Sequence, residues 1–286
     1  MVFIPRNRKE LKKAIDIYVA NKEEGIKIYG EINTWDVYYV KDMSSLFDNC
    51  IKFNEYIGSW NVSNVVDMSC MFAGAESFNQ PLDGWDTCKV KTMNSMFLDA
   101  ICFNQPLDHF NVCSVTTMES MFHGAESFNQ SLNCWDVSNV QFMTYMFRYA
   151  KSFNQSLDSW NFKNIEAIHG MFYDAEQFNG AINNWNISNI DDIGSVFSGA
   201  KSFNQSLNSW NTSNVKYMAY MFENAESFNQ PLDNWDTSNI DDGNLYNMFK
   251  GAKNALNTFP KLRETPVLAN WKEQFNRAKP TKGAKT

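Results

Sequence analysis

The chain has 286 residues, 44% of them apolar and 15% aromatic, enough to bury a substantial core as one elongated domain or two compact ones, and this excludes a disordered polymer. No apolar run is long enough to span a bilayer, and "MVFIPRNRKELKKAI" carries charges where a signal peptide needs its apolar stretch, so the expectation is a soluble chain without a secretion signal. The net charge is −7, but residues 1–25 hold six Lys/Arg against four Asp/Glu and residues 250–286 hold nine against two, which leaves −16 for residues 26–249 and argues against nucleic-acid binding along that acidic body.

The first predicted element is a helical cap in residues 1–25. Asn7 with Glu10 three residues on has the spacing of a capping box, and Leu11, Ala14, Ile15, Tyr18 and Val19 make one apolar face. That face is expected to cover the first of a series of coils, entered through Ile26, Ile28 and Ile32.

Residues 26–252 repeat every 25 positions. Tryptophan falls at Trp35, Trp60 and Trp85 and again from Trp135 to Trp235 in the same step, with Phe110 in the one gap. Phenylalanine columns run from Phe47 to Phe222 and from Phe53 to Phe228, and an asparagine column runs from Asn54 to Asn229. A fixed period in this range means stacked coils, none of which buries its apolar face alone. The repeated columns are then architecture, with asparagine amides bonding from coil to coil and rings stacking into a spine. Within a coil, Val90, Met93, Met96, Phe97 and Ala100 are spaced three or four apart, which predicts a short helix, while "FNQPLDGW" predicts a turn leading to a short strand. A helix is wider than the spacing of paired strands, so strands are expected inside a curved array and helices outside.

The spacing slips by two residues in "DDGNLYNMF", where the second phenylalanine column reappears at Phe249 and the array ends. Residues 253–278 are expected to form a second cap, with Thr265 as N-cap, Pro266 at the first helical position, and Val267, Leu268, Trp271 and Phe275 as its covering face. Residues 279–286 read as a basic, solvated tail.

The run A-x-x-F-N-Q-P-L-D-x-W-D-x-S-N-V-x-x-M-x-x-M-F, seen from Ala75 to Phe97 with Cys88 in the serine place, resembles the repeat of the BspA-like leucine-rich-repeat proteins. The lead-in "NKEEGIKIYGEINTWDV" resembles the start of such arrays. That repeat is familiar from mycoplasma surface lipoproteins and from proteins of large DNA viruses. The resemblance implies an α/β, leucine-rich-repeat-like solenoid of about nine 25-residue coils, each with a short strand and a short helix, capped by helices at both ends. For secreted relatives it implies adhesion or binding of host proteins; without a signal peptide or a lipidated cysteine in this sequence, the setting expected from the resemblance is intracellular (cytoplasmic) or virion-associated.

Few residues suggest chemistry. His109, His123 and His169 sit in variable columns without H-x-x-H or H-E-x-x-H spacing, and read as surface histidines. Phosphate-loop, nucleophile-elbow and dinucleotide motifs do not occur, so the expectation is a non-enzyme without cofactor. No two adjacent coils both carry Asp after the tryptophan, which limits like-charge stacking, and Asp83 above Asp108 lacks a calcium motif. The six cysteines contain no C-x-x-C, although Cys88 and Cys113 share a column in adjacent coils and form a candidate stacked thiol pair. Variable aromatic residues remain: Phe142, Tyr145, Tyr149, Tyr173, Tyr217 and Tyr220, expected on the outer face as a contact for a protein partner. The functional expectation is a protein–protein interaction module, binding a host protein where the gene is viral. The alternative is a self-associating scaffold component in which the acidic body of one copy meets the basic end of another.

Overall fold

The computed structural model describes residues 2–255. The expected second cap at 253–278, from Thr265 to Phe275, and the basic tail lie outside the described residues apart from residues 253–255.

The chain opens with α1 (Arg8–Ala20) and α2 (Lys22–Tyr29). Asn7 caps α1 by accepting from the Glu10 N–H at 3.0 Å, and the Glu10 carboxylate reaches back to the Arg6 N–H at 2.8 Å, one residue earlier than an ideal capping box requires. Leu11, Ala14, Ile15 and Tyr18 are buried, whereas Val19 points to solvent. Asn21 ends α1 and caps α2, so the helical start runs through the expected boundary at residue 25. Ile26 packs partly buried against the core, and Ile28 stays exposed.

Nine coils follow, numbered here from residue 31 in steps of 25, and each lies in parallel register on the next. The predicted helix over Val90–Ala100 is instead a run of linked turns. Met93, Ser95, Phe97 and Asp99 donate their N–H groups to Thr117, Glu119, Met121 and His123 in the following coil, at 2.7–3.2 Å. Met96, Leu98 and Ala100 donate three residues back within their own coil, at 3.1–3.2 Å. Alternate amides thus serve the coil and the stack, which satisfies the backbone without a helix or a strand ladder. The geometry requires a left-handed residue at Ser95 (φ 54°) and at Asp99 (φ 51°), which no α-helix contains. The predicted short strands reduce to single parallel bridges, from Asp42 through Asp67, Thr92, Thr117 and Phe142 to Ala167, and then Asp192 to Tyr217. Among the described residues the coils contain neither a wide helix nor an extended strand to set a curvature.

The repeated side chains fill the interior. Rings of the Phe47-to-Phe249 column stack nearly parallel at 5.3–5.8 Å, and the Phe53 column stacks beside it at 5.9–6.0 Å. Each ring pair contributes about 0.5–1.5 kcal/mol beyond its buried area. Each asparagine from Asn79 to Asn229 donates its backbone N–H to Oδ1 of the asparagine 25 residues earlier, at 2.8–3.0 Å. The two extra residues of coil 9 enter with a 3-10 turn at Asp242–Leu245, and the offset of the inter-coil hydrogen bonds rises from 24 to 26 residues, as in Phe222 N–H to Met248 O.

Candidate functional site

Two left-handed positions recur in every coil and define one edge of the stack. The first reads Ser45, Cys70, Ser95, Ser120, Tyr145, Gly170, Ser195, Tyr220 and Asn247, and the second Asn49, Gly74, Asp99, Gly124, Tyr149, Asp174, Gly199, Asn224 and Gly251, all at φ between 51° and 76°. Small side chains, Asn, Asp and Gly tolerate that backbone, while a bulky residue there is an outlier. In the second position glycine follows Asn or Asp because the carboxylate or amide of the preceding coil occupies the space a Cβ would take, as Asp99 does over Gly124. Tyr145, Tyr149 and Tyr220 are the bulky exceptions, and Gly170 makes room for one of them: a Cβ there would lie 2.5 Å from the Tyr145 ring.

The structure brings Tyr145, Tyr149 and Tyr173 together around a residue that the sequence reading overlooked, Arg148. Its guanidinium carbon lies 5.1, 4.9 and 4.7 Å from the three ring centroids, and Nη2 donates to Tyr149 Oη at 3.3 Å. Arg148 Nε is buried without a hydrogen-bond partner. Tyr149 also meets His123 edge-on at 5.5 Å, and Tyr145 meets His169 at 5.5 Å, where His169 Nδ1 pairs with Asp192 Oδ1 at 3.1 Å. Burial lowers the His123 pKa, with Arg148 acting in the same sense and Asp99 opposing. Burial likewise raises the Tyr173 phenol and the Asp174 carboxyl, the latter helped by Glu176. Arg148 is the one arginine between residues 26 and 255, a signal available in the sequence.

A second aromatic group lies in coils 8 and 9. Tyr217 and Tyr220 are exposed, and Tyr220 meets the more exposed Tyr246 edge-on at 5.5 Å. Tyr246 escaped the sequence reading because the two-residue slip moves it out of register. Phe142 is half-buried in the bridge column. Coil 7 lies between the two groups with Gly194, Ser195, Ser198 and Gly199; of the six candidates Tyr145, Tyr149 and Tyr173 meet around Arg148, Tyr220 meets Tyr246, and Phe142 and Tyr217 lie in the bridge column.

The other candidates have structural explanations. His109 Nε2 bonds to Leu82 O at 2.9 Å. In the column after the tryptophans and Phe110, every Asp and Asn but Asn161 accepts from the N–H two residues on, as Asp86 does from Cys88 and Asn111 from Cys113 at 3.1 Å, a turn that either residue closes. Cys88 and Cys113 therefore sit in equivalent turns as free thiols, and the Asp86 carboxylate beside Cys88 pushes that thiol's pKa up. Among the described residues no three His, Cys, Asp or Glu side chains are grouped to hold a metal, and no helix is long and apolar enough to cross a membrane. A recess of about 110 Å³ beside α1, lined by Tyr18, Lys22, Lys52 and Glu55 among others, is too small for most organic ligands.

No curated protein matches the chain. Residues 16–116, 82–183 and 177–284 match one family in tandem, so the chain belongs to the repeat family described as Mycoplasma protein of unknown function, DUF285.

Proposed function

We propose that this chain is a non-catalytic protein–protein interaction module, built as a leucine-rich-repeat-like solenoid of the BspA-like kind that its repeat resembles. The observation that carries the reading is the placing of Tyr145, Tyr149 and Tyr220 at left-handed positions that other coils fill with Ser, Cys, Asn, Asp or Gly. Each bulky residue there costs roughly 1–2 kcal/mol of backbone strain, and Gly170 accommodates the Tyr145 ring. Tyrosine and arginine, gathered on one edge, are also the residue types that dominate contact energies between proteins. Architecture does not require them, since neighbouring coils stack without them.

The test is an affinity pull-down of tagged protein at low and near-molar salt, read by mass spectrometry, with Tyr145→Ala/Tyr220→Ala as the comparison. A partner retained at high salt by the wild type and lost by the double variant is the expected result, because an aromatic interface is poorly screened. Undiminished binding by the variant, or recovery of the chain alone, removes this face from the reading and favours a self-associating scaffold.

A further inference from the structure

We propose that the Arg148 guanidinium, held among the rings of Tyr145, Tyr149 and Tyr173, is a socket for a single carboxylate of the protein partner, from an acidic side chain or a chain terminus. This rests on the reading that the tyrosine edge binds a protein, and it adds the chemistry of what is bound there.

Three observations lead to it. First, Arg148 has five N–H donors, and the hydrogen bond from Nη2 to Tyr149 Oη uses one of them. Nε is buried without an acceptor, and Arg148 takes part in none of the salt bridges among the described residues. Lys151, Lys201, Lys216, Lys250 and Lys253 each pair with a carboxylate of a neighbouring coil. Lys41, Lys52, Lys89, Lys91 and Lys163 take part in none of these ion pairs, but they are exposed to water, whereas Arg148 is half-buried among rings.

Second, the rings lie within 5.1 Å of the guanidinium carbon, which fixes the plane of the fork and displaces water from its faces. A fixed, partly dehydrated guanidinium edge matches the two oxygens of a carboxylate, and the pairing gains strength as water is excluded.

Third, the surrounding charge selects one negative charge over two. Asp99 and Asp174 lie near this group; burial, Glu176 and Glu223 raise the Asp174 pKa, and Lys201 and Arg148 oppose them. His123, next to Arg148, is held towards its neutral form by burial and supplies no second cation at neutral pH. These carboxylates oppose any anion at Arg148, and they oppose a dianionic phosphate about twice as strongly as a single carboxylate.

The experiment follows the arginine Nε–Hε signals of the full chain by NMR; with five arginines in the sequence the set is small. The Arg148 signal is the one lost in Arg148→Lys, or in Arg148→Gln should the lysine variant not fold. Sodium acetate is titrated against sodium chloride at equal ionic strength, and then against inorganic phosphate at pH 7. A saturable shift with acetate, absent with chloride and weaker with phosphate, is the expected result. A shift equal in chloride removes the socket, and tighter binding of phosphate removes the carboxylate assignment. With the captured partner, Arg148→Lys should reduce retention at least fivefold while leaving the melting temperature in place. Full retention by Arg148→Lys alongside loss by Tyr145→Ala/Tyr220→Ala would remove the socket and keep the face; full retention by both would remove the face as well.

Discussion

His109 Nε2 donates to Leu82 O at 2.9 Å, and Leu82 O is the carbonyl that an indole at position 110 would have reached. Trp60, Trp85, Trp135, Trp160, Trp185, Trp210 and Trp235 each donate Nε1 to the carbonyl 28 residues earlier, at 2.8–3.4 Å. Phe110 has no N–H, and the histidine beside it supplies the missing donor. A carbonyl is only an acceptor, so the ring carries its proton on Nε2. Leaving that carbonyl unpaired costs about 1–3 kcal/mol. His109→Ala should therefore lower the unfolding free energy by that much, read as a lower urea midpoint at unchanged slope, and adding Phe110→Trp should recover most of the loss. Equal stability of wild type and His109→Ala would show that water satisfies Leu82 as well as the imidazole does.

Tyr220 separates strain from function. It is left-handed at φ 59°, where asparagine is comfortable, and its one ring neighbour among the described residues is Tyr246 at 5.5 Å. Replacing it by asparagine relieves about 1–2 kcal/mol of strain and forfeits about 0.5–1.5 kcal/mol of ring contact. The net change for Tyr220→Asn should lie between a loss of about 0.5 and a gain of about 1.5 kcal/mol, with partner binding reduced. A stability loss above about 1 kcal/mol would mark Tyr220 as a packing residue instead.

The aromatic edge should respond to acid through His123. Its folded pKa is lowered, chiefly by burial, with Arg148 adding to the effect and Asp99 opposing it, while Tyr149 faces the ring edge-on. A depressed histidine contributes stability that is present above its unfolded pKa, about 6.5, and lost as pH falls through the lower folded value. Between pH 7 and pH 5 the wild type should lose more stability than His123→Gln, measured as the difference of their urea midpoints. Parallel pH profiles for the two proteins would contradict this.

How much of this was legible beforehand depends on whether a residue sits in a repeated environment. Trp85 and Trp135, Phe72 and Phe97, or Asn79 and Asn104 occupy copies of one site, so their period shows in the sequence and so does their stacking. The turn run from Met93 to Ala100 was misread because linked turns bury every third or fourth residue, as a helix does. Its left-handed residues did leave a trace, the alternation Asn49, Gly74, Asp99, Gly124, which suits no helix interior. The tyrosines stood out as breaks in their columns. Arg148 did not, because one charge in a variable column has no period, and its meaning comes from Tyr173 of the next coil.

A charge column offers the last test of the stack's register. Glu126, Lys151, Glu176, Lys201, Glu226 and Lys253 follow one another through coils 4 to 9, with ion pairs of 2.7 Å for Lys151–Glu126, 3.0 Å for Lys201–Glu176 and 2.7 Å for Lys253–Glu226. Nearly identical coils tolerate slippage by a whole repeat in the aromatic columns, whereas a slip by one coil sets like charges against each other. The hydrogen bond from Lys253 lowers the Glu226 pKa, and the hydrogen bond to Glu126 raises that of Lys151. The Glu226 contribution is therefore present above the ordinary glutamate pKa and lost as pH falls through the depressed value, and the Lys151 contribution is lost as pH rises through the raised one. These pairs are exposed, so each effect is small and salt-sensitive. Lys151→Glu, flanked by Glu126 and Glu176, should lower the melting temperature at low salt and recover most of the loss near molar salt. A loss that salt leaves unchanged would show that the lysine stem packs between coils and that its charge is incidental.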